Sequence, residues 1–187
     1  INVSISIVGE SREHCVVMGG LRMNGKKEDD VNVSNLTLRD SKGNGVYGVY
    51  NGASMHLDNV SVENSGSDGV YVNGSKRNTM KNCNVSHSYC SGLEVYGGGL
   101  MTIDGNATTI HHNGTRGSGS HHGLDAWDSS SSIHLVSSLT IETISKNNGG
   151  GRNHGGSGTI KSVDKDGKVL EVVYDGTPDE DDEEDEH

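Results

Sequence analysis

The residues with most chemical potential sit in three short segments of one texture: GVYV at 69–72, GLEV at 92–95 and GLDA at 123–126. Behind the glycine, the apolar positions alternate with Tyr71, Glu94 and Asp125. In an extended strand neighbouring side chains point to opposite sides, so these three should face outward together. A second outward column follows two residues later, at Asn73, Tyr96 and Trp127. Glu94 and Asp125 on adjacent strands would lie about 5 Å apart, close enough to raise one carboxyl by like-charge repulsion or to share a cation such as calcium. They are the candidate catalytic residues, and Tyr71, Tyr96 and Trp127, whose rings suit packing on sugars, the candidate substrate-binding ones. The competing reading is a solvated sheet face that tolerates an acid pair, since the spacing belongs to any stack with acids in register.

Histidine is the other anomaly. His111, His112, His121, His122 and His134 fall within 24 residues. Together with Asp128 the first four are candidates for a transition-metal or acid–base site. Against this, alternation along a strand should send adjacent His-His side chains apart, which leaves them as loop histidines. The three cysteines, Cys15, Cys83 and Cys90, include no CxxC pair and read as core thiols. No resident cofactor is indicated.

The elements that must position these residues are repeats. SNLTLRDSKGNGVY (34–47), DNVSVENSGSDGVYV (58–72) and KNCNVSHSYCSGLEV (81–95) place Gly45, Gly69 and Gly92 in register at spacings of 24 and 23. A fourth copy, TTIHHNGTRGSGSHHGLDA (108–126), brings Gly123 into register after 31 residues, the excess being an inserted GTRGSGS loop. A weaker fifth copy covers 138–151. A period of this length means a solenoid. One coil of short strands buries little, so the copies must stack, with Leu38, Val62, Val85 and Ile110 in one core column and Val46, Val70, Leu93 and Leu124 in another. Asn59 over Asn35, and Asn82 over Asn59, would form an amide ladder. The fold class expected is all-β: a right-handed single-stranded parallel β-helix of about five to six coils over 1–157. A C-terminal hairpin cap turning at Asp166-Gly167 (158–176) and a disordered acidic tail (177–187) complete it.

Composition narrows the partners. The net charge of −11 comes from the C-terminus, because nine of the 26 acidic residues lie from Asp175 onward, leaving 17 acids against 15 Lys plus Arg. The near-neutral body has no basic stripe, which argues against nucleic acid. No apolar run approaches a membrane span. With no phenylalanine, one proline and 28 glycines, the chain suits many tight turns around a thin core.

The texture NVSVENSGSDGVYV, GLEV and TTIHHNGT resembles the right-handed β-helix repeat family related to pectate lyases, particularly uncharacterised β-helix proteins of algae and their viruses. The resemblance covers roughly residues 1 to 155. It implies a protein that binds, or modifies in the manner of a lyase, hydrolase or epimerase, a polysaccharide along an exposed sheet. Its catalytic signatures do not carry over: His121-His122-Gly123 stands near a GHG segment, but the NTD segment and paired aspartates are missing. A non-catalytic structural or protein-recognition solenoid is the alternative.

Overall fold

In a computed structural model, residues 1–116, 120–149 and 153–176 are described. The acidic tail expected at 177–187 lies outside them. The chain winds into a parallel solenoid with three faces. The first carries β1 (Ile5–Val8), the front half of β4 (Asp30–Arg39), the front half of β6 (Ser54–Glu63), β8 (Asn78–Lys81), β11 (Leu100–Asp104), β14 (Ser132–Val136) and β17 (Thr159–Val163). The second carries β2 (Val16–Met18), the back halves of β4 and β6, β9 (Asn84–Ser86), β12 (Thr109–His111) and β15 (Ser145–Lys146). The third is a separate sheet of six strands: β3 (Leu21–Met23), β5 (Val46–Gly48), β7 (Val70–Asn73), β10 (Leu93–Tyr96), β13 (Leu124–Ala126) and β16 (His154–Gly155).

Register follows the glycine alignment. Leu38 pairs with Val62, Val62 with Val85 and Val85 with Ile110, while Val46, Val70, Leu93 and Leu124 pair in turn on the third face. All eight are essentially without exposed surface. At roughly 1.5 to 3 kcal/mol per fully buried aliphatic side chain, these columns supply the main force holding coil to coil. Glycine is required at Gly69 and Gly92 by space: a Cβ on Gly92 would sit 2.8 Å from the Gly123 carbonyl oxygen and 2.7 Å from Asn113 Nδ2.

The corners are built by left-handed residues. Asn35, Asn59 and Asn82 occupy one corner with φ near 50°, where Asn is among the few side chains that settle readily. The Nδ2 of Asn59 donates to Asn35 Oδ1 at 2.9 Å, which forms the Asn35–Asn59 rung of the amide ladder. A second corner holds Asp40, Asn64, His87, His112 and Asn147, all with φ between 53° and 59°.

Two elements differ from the repeat pattern. The fifth copy contains one helical turn, α1 (Ile141–Ile144), because Thr140 and Thr143 cap each other's backbone amides in a reciprocal box. At the C-terminus, β17 pairs in parallel with β14 and so belongs to the stack itself, while β18 (Val169–Tyr174) is antiparallel to β17. The turn spans Asp164 to Lys168 rather than two residues: Asp164 Oδ1 accepts from the amides of Asp166 and Lys168, which closes the wider loop. The hairpin extends the sheet edge, with Val169, Leu170, Val172 and Val173 exposed.

Candidate functional site

The third face carries the outward column read from the sequence, and extends it. Arg22 pairs with Tyr47, Tyr47 with Tyr71, Tyr71 with Glu94, and Glu94 with Asp125. The rings of Tyr47 and Tyr71 stack at 5.2 Å between centroids, and the Arg22 guanidinium lies 4.7 Å above Tyr47. A cleft of about 390 Å³ opens beside Arg22 and Tyr47, bordered by Asn44 and Ser67. Tyr96 and Trp127 stand on the flank, 40% and 45% exposed.

The two acids of the column have opposite surroundings. Glu94 is half-buried, and burial, reinforced by the charges of Asp68 and Asp125, pushes its carboxyl up to about 8. It is therefore a proton carrier at neutral pH. Asp125 points away from strand β13 as alternation requires, but its side chain is fully buried. The coil above covers it: a Cβ on Gly156 would sit 2.8 Å from Asp125 Oδ1. Asp125 Oδ2 instead accepts from Ser91 Oγ and contacts His122 Nδ1, each at 3.1 Å, while Oδ1 has no hydrogen-bond partner. The expectation that Asp125 faces solvent is thus corrected. An extra coil lies over it, and it acts by holding His122 and by raising Glu94.

Alignment of the glycines without the residue before each one hides a further column: Asn44, Asp68, Ser91 and His122. The amide of Asp68 donates to Asn44 Oδ1, that of Ser91 to Asp68 Oδ1, and that of His122 to Ser91 Oγ, at 3.1, 2.9 and 3.1 Å. The side chains of Asn44, Asp68 and Ser91 thus each cap the next coil. Asp68 is buried, which pushes its carboxyl up to about 6, the Ser91 amide opposing and Asp125 adding to the rise. Its identity as an acid in that register position was the available signal. Burial of Tyr71, with Glu94 beside it, likewise pushes the phenol up to about 12.

The remaining candidates separate into distinct places. His121 stands at the end of the inserted segment with Nδ1 buried and unpartnered; burial, with Arg116, lowers its basicity. Asp128 closes a turn, accepting from the Gly97 amide at 2.6 Å, from Ser131 Oγ at 3.0 Å and from both the amide and hydroxyl of Ser130. Burial opposes ionisation there, but those donors outweigh it and hold the carboxyl low. Its acceptor positions are spent on backbone closure, so it joins no histidine. His111 and His112 lie on the second face, where strand alternation fails as a guide: His112 is left-handed (φ 55°), which turns its ring back toward His111. Their Nδ1 atoms are 2.7 Å apart, and His87, one coil below, stacks on His112 at 5.5 Å. Among the described residues, no three His, Cys, Asp or Glu side chains surround one point as metal ligands. Cys83 is buried in the core and burial drives its thiol to about 11, whereas Cys15 and Cys90 are half-buried.

The three-faced stack, its in-register columns and its left-handed corners define a parallel β-helix. The chain belongs to the right-handed β-helix family, whose model, the right handed beta helix region, matches residues 19–162. Neither a curated protein nor a solved structure matches it.

Proposed function

We propose that this protein engages a polysaccharide along the third face. The observation that carries the reading is the continuous outward column, in which the stacked rings of Tyr47 and Tyr71 lead along the stack to Glu94, a carboxyl raised to about 8. With the ring faces stacked on one another, the ring edges and phenol hydroxyls of Tyr47 and Tyr71 form a row spaced by one coil that can contact successive sugars. A protonated Glu94 donates a hydrogen bond to a sugar or glycosidic oxygen without adding repulsion toward an acidic polymer. Arg22 at one end supports the same choice. Hydrolysis by two carboxylates requires a second accessible acid about 5 to 9 Å away. The two neighbouring acids, Asp68 and Asp125, are 6% and 0% exposed, which favours binding over cleavage.

The chain has a single tryptophan, on this face, so its fluorescence is a local probe. Titration with neutral and acidic polysaccharides, with and without calcium, is expected to shift Trp127 emission for at least one polymer. Tyr71→Ala should then weaken retention in affinity electrophoresis at least fivefold. Unchanged emission across the panel, or equal retention of Tyr71→Ala, overturns the reading. A non-catalytic protein-recognition solenoid draws support from a separate observation, the exposed apolar strands β2 and β18 at the ends of the stack.

A further inference from the structure

We infer that His111 and His112 form a chelating pair for a square-planar or tetragonal divalent ion, Cu(II) above all, at the corner of the second face. The argument is geometric and independent of the third face. Two imidazole nitrogens bound to one metal at about 2.0 Å lie about 2.8 Å apart in cis positions and about 3.3 Å apart in a tetrahedron. The two Nδ1 atoms here are 2.7 Å apart, joined by a hydrogen bond whose proton a metal would replace, at a separation close to the bite of a cis pair.

The lone pairs are prepared by the surroundings. His111 Nε2 lies 2.9 Å from Asn84 Oδ1, an oxygen that also accepts from Thr109 Oγ1 at 3.0 Å. Asn84 Nδ2 in turn donates to Ser61 Oγ at 2.9 Å, which fixes the amide with its oxygen toward the ring. His111 must therefore carry its proton on Nε2, so that its Nδ1 lone pair accepts from His112 Nδ1–H in the metal-free protein and is available to a metal that displaces that proton, in the way outer hydrogen bonds orient metal-binding imidazoles. His112 is exposed and takes the complementary tautomer when a metal displaces the Nδ1 proton. Burial and the neighbouring His112 and His87 also disfavour a charged His111. The charged side chain nearest in register is Lys146, paired with His111 on the coil above and exposed. His87, stacked on His112 at 5.5 Å, shields one side of the pair. Water fills the remaining coordination positions.

The backbone explains why this pair and not the other. His112 is in the left-handed corner shared with Asp40, Asn64, His87 and Asn147, so consecutive side chains converge there. His121 and His122 have no such φ, and His122 is turned to Asp125.

The test is Cu(II) titration of the whole chain at pH 7.5, read by electron paramagnetic resonance and pulsed nitrogen modulation. The wild type is expected to bind a first equivalent with an axial spectrum and two coupled imidazoles. His111→Asn with His112→Asn should lose that species and at least tenfold in affinity; Asn stands at the corner position of His112 as Asn64 and Asn147, and the register partners of His111 are the polar Ser86 and Lys146, so the fold is preserved. His121→Ala with His122→Ala should leave it intact. Asn84→Ala should weaken binding by roughly tenfold, as outer-shell losses do. An unaltered first equivalent in the His111/His112 variant, whether held by the acidic C-terminus or by other histidines, overturns the inference. So does a wild-type spectrum showing no imidazole nitrogen.

Discussion

The third face and the histidine corner belong to the same coils, yet they are built by different rules. On the face, position is set by strand alternation behind a glycine that admits no Cβ: Glu94 lies two residues after Gly92 and its direction follows. At the corner, position is set by a left-handed residue that breaks alternation, and a set of Asp, Asn and His side chains shares the same backbone state. The face is therefore intolerant in its backbone and permissive in its outward side chains. The corner accepts several residues and gains chemistry only when two histidines meet there.

The largest effect should come from Gly92→Ala, whose Cβ would press on Gly123 and Asn113 and cost about 3 kcal/mol or more, measured by urea denaturation. A neutral result would break the distinction between the two regions.

Next is the pH dependence of stability. Glu94 and Asp68 have folded values of about 8 and 6, above their ordinary 4.5 and 3.8. Between those limits the folded state holds protons that the unfolded chain has released, so stability falls as pH rises from about 4 to about 8. Glu94→Gln removes the upper part of this fall, and should exceed the wild type by about 2 kcal/mol at pH 9 after allowance for solvent screening, with the advantage vanishing near pH 4. Identical pH profiles would show that Glu94 is not raised.

Asp125→Asn removes the lesser of the two charges that add to burial in raising Glu94, and should lower the Glu94 midpoint in a carbonyl NMR titration. The smallest effect is expected for His87→Asn, which places at the corner the residue already present as Asn64. Stability should change by less than about 0.5 kcal/mol, while the midpoint of His111, read by proton NMR, moves up slightly as a neighbouring imidazole is lost.

Much of this was legible in the repeats. Glycine register alone set the core columns, the pairing of Glu94 with Asp125 and the Asn35–Asn59 ladder, because in a stack lateral neighbours are one period apart. Tyr47 and Arg22 extend the column one and two coils before Tyr71, and GVYG at 45–48 is the same segment as GVYV one coil earlier. The burial of Asp125 was not legible, since it depends on the coil at His154 and Gly155, where the repeat has faded. The meeting of His111 with His112 is not legible, because alternation ends at His111 and φ changes sign at His112 in the corner.

The ends of the stack have a consequence of their own. Among the described residues, Ile5, Val8, Val16, Val17 and Met18 at one end, and Val169, Leu170, Val172 and Val173 at the other, stay exposed, whereas the core columns between them are buried. Opening should therefore start at the two extremities and travel inward like the fraying of a rope. Deuterium would reach the amides of β1 and β18 first, and those of β7 and β10, beneath Tyr71 and Glu94, last.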